Sequence, residues 1–171
     1  LREGICDNAI EGYSFYQDNV LHTTYGNIVK NHQTGLNAFV NWNAGPKTRI
    51  YMNGGLSYVD LKSEQLDLTN NGWQGNIMVG AQQTLPWDIR LSLNMIASTK
   101  QYNLQGWNTG FNAVMGSISR SFLNEKLNVS INGMTPLTGA KLKMETMAQG
   151  KDFLNKTKIR VPIQMVGLSI S

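Results

Sequence analysis

The chain has 171 residues, enough for one domain with an adequate core. Only 15% are charged, well below the usual quarter of a soluble domain, while 41% are hydrophobic. Asn, Gly, Ser, Thr and Gln fill the gap, and aromatic and aliphatic residues spread along the whole chain exclude disorder. The net charge of +4 and pI near 9.2 come from lysines without an aromatic-basic motif, so nucleic acid is not an expected partner. Cys6 is the only cysteine, which excludes an internal disulfide and a cysteine-based metal site. No run of 18 apolar residues occurs, which excludes a transmembrane helix but not barrel strands, because those are short and alternate. No signal peptide opens the chain, so a mature protein or a piece of a longer one is expected.

Alternation with period two dominates the chain. A strand is expected near residues 3–11, before a long polar connection at about 13–31. The next strand sets Thr34, Leu36, Ala38, Val40 and Trp42 against Gln33, Gly35, Asn37, Asn41 and Asn43, with Phe39 as an exception on the second face. After the turn Ala44-Gly45-Pro46-Lys47, a third strand sets Ile50, Met52, Gly54, Leu56 and Tyr58 against Arg49, Tyr51, Asn53, Gly55 and Ser57. Beyond a connection at 62–71, Trp73, Gly75, Ile77, Val79 and Ala81 oppose Gln74, Asn76, Met78, Gly80 and Gln82. Leu85-Pro86-Trp87 turns into a strand with Ile89, Leu91, Leu93, Met95 and Ala97 facing away from Arg90, Ser92, Asn94, Ile96 and Ser98.

A short connection near 102–106 then leads to a strand that places Trp107, Thr109, Phe111, Ala113 and Met115 on one face. Asn108, Gly110, Asn112, Val114 and Gly116 are expected on the other. Leu123-Asn124-Glu125-Lys126 turns it, and Leu127, Val129 and Ile131 alternate with Asn128, Ser130 and Asn132. A long connection at 134–158 precedes a last strand near 163–171. Within it, residues 141–156 suit a hairpin better than a short amphipathic helix. The expected fold is all-β: an antiparallel up-and-down sheet of about eight strands from a transmembrane β-barrel, in one segment over residues 1–171. Short turns gather at one end and long connections at the other, the asymmetry of outer-membrane barrels.

Charge separates lipid from water as the outer medium. The apolar face is expected to carry no charge across the middle five strands, and a cation there would cost about 2–4 kcal/mol at mid-depth. Trp42, Tyr58, Trp73, Trp87 and Trp107 are expected at the membrane interfaces, which suit rings with one polar edge. Tyr102 and Phe122 lie at the right levels with the wrong parity. Asn37, Asn41, Asn53, Gln74, Asn76, Asn94 and Asn112 are expected to face the lumen.

Asp7-Asn8-Ala9-Ile10-Glu11, Thr23-Thr24-Tyr25-Gly26-Asn27-Ile28, the run from Gln33 to Trp42 and the ending Val166-Gly167-Leu168-Ser169-Ile170-Ser171 follow one another in order. Together they resemble the C-terminal part of TonB-dependent outer-membrane receptors of the type common in Bacteroidetes. The resemblance implies a fragment of a barrel of about 22 strands, with the plug domain and the TonB-contacting segment N-terminal to Leu1. It also implies outer-membrane lipid, the plug, TonB and a surface lipoprotein as partners, and self-association of an isolated fragment through open sheet edges.

No enzyme site is expected. His22 and His32 lie too far apart in sequence for a zinc motif, and Asp60, Glu64 and Asp67 lack a calcium-loop register. Residues 72–75 and 106–110 are glycine-rich without the Lys-Ser/Thr pair of a phosphate loop. No cofactor is expected. Two alternatives stand beside the receptor: a complete eight-stranded outer-membrane barrel with a structural or adhesive role, and a soluble β-barrel binding module with its apolar face inward.

Overall fold

The computed structural model of the chain describes residues 1–123, 126–137, 139 and 141–171. The strands are β1 (Arg2–Gln17), β2 (Val20–Gly45), β3 (Thr48–Ser63), β4 (Leu68–Thr84), β5 (Ile89–Ser98), β6 (Gln101–Asn103) and β7 (Gly106–Asn108), followed by β8 (Asn112–Phe122), β9 (Leu127–Pro136), β10 (Lys141–Gln149), β11 (Leu154–Pro162) and β12 (Met165–Ile170). Eight of them form one antiparallel sheet in the order β1-β2-β3-β4-β5-β8-β9-β12. The remaining four form a second sheet, β11-β10-β7-β6. The all-β, up-and-down architecture is the one the alternation called for.

Cross-strand partners share a face, so the register sorts the side chains. One face carries the row Val40, Met52, Val79, Met95 and Val114, and next to it Ile50, Ala81, Leu93, Gly116, Gly133 and Val166. The opposite face carries Asn37, Gly55 and Asn76 in one row and Asn41, Tyr51, Gly80 and Asn94 in another. These are the amide face and the apolar face of a single curtain of strands.

Neither face is covered over most of its area. The accessible surface is 11788 Å², against about 8400 Å² for a compact soluble monomer of this mass. Leu36, Trp42, Leu56, Trp73, Leu93, Ile118, Ile131 and Leu168 are all more than half exposed on the apolar face. A water-soluble sheet would bury that face against a second layer. The buried core is instead a small cluster of Val29, Val59, Leu61 and Leu104 on the other side, at the end away from the β2–β3 and β4–β5 turns.

The connections correct the expected layout. The stretch 13–31 is not a loop: β1 and β2 continue through it and turn at Asp18 and Asn19, both in the left-handed region at φ 52° and 62°. Turns of this type match the twist of paired strands, which lets a hairpin run on with two connecting residues. Likewise β3 and β4 extend over most of 62–71 and leave only residues 64–67 as a turn. The connection at 134–158 contains the β10–β11 hairpin expected there. Of the turn at 123–126, residues 124 and 125 lie outside the described residues, as do 138 and 140.

The strand expected over 107–116 is broken, and its faces are exchanged. Trp107 belongs to β7 in the second sheet, residues 109–111 bend, and β8 re-enters the main sheet at Asn112. Gly110 permits the bend, since a side chain there would run into the Ser98 and Thr99 carbonyls. The register then sets Val114 against Met95 and Ile118 against Leu91, leaving Ala113 and Met115 on the amide face. Arg120 and Phe122 consequently lie on the apolar side, with the Arg120 guanidinium 4.7 Å above the Phe122 ring.

One close approach in the amide face holds three strands together. The Tyr51 ring lies across Gly80, in the space a Cβ would need, and its hydroxyl donates to Asn94 Oδ1. Gly80→Val should displace that ring and destabilise the sheet by about 1–3 kcal/mol, the usual cost of overpacking. Gly116→Ala, whose added carbon finds its nearest neighbour at 3.8 Å, should cost much less. Denaturant midpoints in detergent decide the matter; equal losses would contradict this role for Tyr51.

Candidate functional site

A charge-free belt runs across the apolar face. On β2 to β5 it extends from Trp42, Ile50, Ala81 and Leu91 up to Thr34, Tyr58 and Trp73, with no ionisable side chain between. From Ile50 to Tyr58 the strand advances eight residues, about 26 Å at about 3.3 Å per residue. That is close to the apolar band of about 25 Å on a membrane barrel. Tyr58 and Trp73 are direct partners whose rings meet edge to face with centroids 5.4 Å apart. One step beyond them charge returns, as Asp60 opposite His32 and then Lys62 opposite Lys30. Lys30 reaches Glu64 at 2.8 Å, and His32 reaches Glu3 at 3.1 Å.

The expected interface aromatics therefore divide. Tyr58 and Trp73 border the belt at the far end, and Trp42 borders it at the turn end; Trp87 sits in the turn between β4 and β5 with φ 63°. Trp107 is not on this border: it lies in the second sheet, with the Lys100 ammonium 3.8 Å from its ring centroid. Phe122, discounted on parity, joins the apolar side at the turn end because β8 changes phase. Ser117, Ser119 and Ser121 were the readable signal for that phase, since polar residues at odd positions after Gly116 put Ile118 and Phe122 on the apolar face.

Of the amides, Asn37, Asn41, Asn53, Gln74, Asn76 and Asn94 share one face. Asn112 does not: it pairs with Ala97, and its side-chain oxygen accepts a hydrogen bond from the Ser98 N–H at 2.9 Å. Arg49 is on the amide face, where its Nε donates to Asn41 Oδ1 at 3.1 Å.

The β6–β7 hairpin folds inward over the amide face at the far end. Leu104 at its tip is buried against Val29, Val59 and Leu61. The Leu104 N–H donates to Glu11 Oε1 at 2.7 Å. Gln105 exchanges two bonds with the Ser14 backbone, donating at 2.9 Å and accepting at 2.7 Å. Asn70 Nδ2 donates to the Asn103 and Gly106 carbonyls at 2.6 and 2.7 Å. Tyr102 lies across Gly72, which has no Cβ to block it. Thus the hairpin is held to β1, β3 and β4 by both apolar burial and satisfied polar groups, and β10 pairs with β7 to extend it. Sequence reading missed Glu11, Asn70 and Gln105, because nothing local distinguishes a side chain that caps a loop 33 to 93 residues away.

Glu11 makes this docking pH-dependent. Burial raises its carboxyl pKa above the ordinary 4.5, outweighing the Leu104 N–H, which pulls it down. A raised folded-state pKa favours the docked form while the group is protonated. Its contribution is fully present below pH 4.5 and is lost as pH rises through the raised folded value. Exchange of the Leu104 amide, corrected for its intrinsic rate, should be better protected at pH 4.5 than at pH 7. Glu11→Gln keeps the acceptor and should flatten that difference, whereas Glu11→Ala should lose protection at both pH values. A wild-type protection that ignores pH would refute the assignment.

The outer membrane protein beta-barrel family matches residues 6–171. No curated protein and no solved structure matches the chain. A sheet of alternating strands with a charge-free belt on one face and amides on the other is what that family requires of a membrane wall, and the chain belongs to the outer membrane protein beta-barrel family and resides in the bacterial outer membrane.

Proposed function

We propose that this chain is part of the membrane-spanning barrel of a TonB-dependent outer-membrane receptor that takes up a nutrient. The carrying observation is the pair of open edges. Among the described residues β1 pairs only with β2 and β12 only with β9, and no ladder joins β1 to β12. Unpaired backbone groups in lipid cost several kcal/mol each, so a spanning sheet must be closed by further strands or by its own two edges. In this reading additional strands of a larger barrel cover both edges. The amide face then lines the lumen, and the elements at the far end meet substrate. The plug, TonB, a surface lipoprotein and the surrounding lipid are the partners, and the barrel carries out no catalysis.

One observation favours a second reading. The main sheet has eight strands, an even number as in small closed outer-membrane barrels. A complete barrel of this size would serve a structural or adhesive role.

Electrophoresis of detergent-refolded protein, boiled and unboiled, separates the two. The receptor reading expects no heat-dependent shift, together with strand-type circular dichroism and association through open edges. A clear shift of a monomer would mean that β1 and β12 close on each other, and would overturn the receptor reading in favour of the small barrel.

A further inference from the structure

We infer that Met115, Met134 and Met165 form a thioether site for a soft monovalent metal ion, Cu(I) or Ag(I), on the amide face. The register places them side by side: Met115 of β8 is the direct partner of Met134 of β9, which is the direct partner of Met165 of β12. Asn94 continues the row on β5. Directly opposed residues of antiparallel strands have Cα atoms about 4.5–5.5 Å apart, so the three side chains start within about 11 Å of one another. Each has three rotatable bonds with which to turn its sulfur toward a common centre. They border a recess of about 400 Å³, whose next row is Ser117, Asn132 and Gly167. The space beside Gly167 is open, since an added Cβ there would meet nothing within 4 Å.

The donor set selects the ion. A thioether sulfur is neutral, soft and polarizable, and such ligands favour Cu(I) over hard cations. Magnesium and calcium take oxygen ligands, carboxylates above all, and zinc takes thiolate, imidazole or carboxylate. Among the described residues none of those groups lines the recess. The methionines are also not placed as core packing. They stand in a wall that is otherwise rich in amides, and Met165 is 61% exposed. The ion binds without a change of oxidation state, exchanging water for sulfur, and no bond within the protein forms or breaks. All three strands are already paired to one another, so the site needs neither closure of the barrel nor further strands.

Silver nitrate titrated into the detergent-folded Cys6→Ser protein, in chloride-free buffer and with isotope-labelled methionine methyl groups, tests the site. Cys6 is replaced because its exposed free thiol would compete for a soft metal. The methyl resonances of Met115, Met134 and Met165 should shift together and saturate together, ahead of those of Met52 and Met95 on the apolar face. Magnesium and zinc at the same concentration should move none of the three.

Met165→Leu keeps an apolar side chain of similar size at an exposed position and removes one sulfur. It should raise several-fold the silver needed to shift Met115 and Met134, while Met144→Leu in the second sheet should leave that midpoint unchanged. Silver that moves no methyl of the trio, a midpoint that Met165→Leu does not alter, or an equal response to zinc would overturn the site. Should Met165→Leu fail to fold, the titration of the Cys6→Ser protein decides by itself.

Discussion

A β-sheet in lipid must satisfy every backbone N–H and C=O through its neighbours, because no water is present to do so. The rest of this structure follows from that constraint. Continuous antiparallel ladders run from β1 to β12, interrupted only by local bulges such as the pair near Ala9. Because each ladder fixes register, side chains fall strictly into two sets, and the two sets can meet different solvents. Leu93 and Asn94 are adjacent in sequence and lie on opposite sides of the wall. The constraint also explains where irregular backbone occurs. The bend at residues 109–111 and the inward-folded hairpin lie above the belt, where protein and water can satisfy free groups.

The strands exceed what a membrane needs. About nine to eleven residues cross a bilayer in a tilted barrel, whereas β2 has 26. The surplus in β1 and β2 projects past the belt and presents Tyr13, Phe15 and His22 as a stack, with centroid separations of 5.9 and 5.5 Å. It also supplies Glu11 and Ser14, which grip the β6–β7 hairpin. Thus the projecting hairpin and the inward-folded one are tied together on the amide side, beyond the belt. Apolar burial of Leu104 gives the docking its energy, and the polar bonds give it direction.

Much of this was legible in the alternation alone. Strands β2 to β5 follow the expected faces residue by residue, because one face is apolar throughout the belt and the other is rich in amides, with Phe39, Met78 and Ile96 the apolar residues among them. Sequence reading failed where its premise did. Between Trp107 and Asn112 the chain leaves the sheet and returns with the opposite phase, and small or apolar residues on both faces hide the change. Long connections were expected at 13–31 and 62–71 because polar residues are frequent there, yet strands that project past the belt leave the lipid and can carry polar residues while remaining strand. Contacts such as Asn70 with the Asn103 carbonyl depend on the return path of a distant loop, which periodicity does not encode.

Lipid against the apolar face and water against the amide face give opposite outcomes for two neighbouring substitutions halfway up the belt: Ile77→Arg and Asn76→Arg, each followed by outer-membrane fractionation and by unfolding in lipid vesicles. At mid-depth an arginine facing lipid costs about 2–4 kcal/mol. Ile77→Arg should therefore lose that stability and assemble poorly, while Asn76→Arg should insert and unfold nearly as the unmodified protein does. Equal tolerance of both, or a larger loss at Asn76, would mean that the two faces do not meet lipid and water in this way.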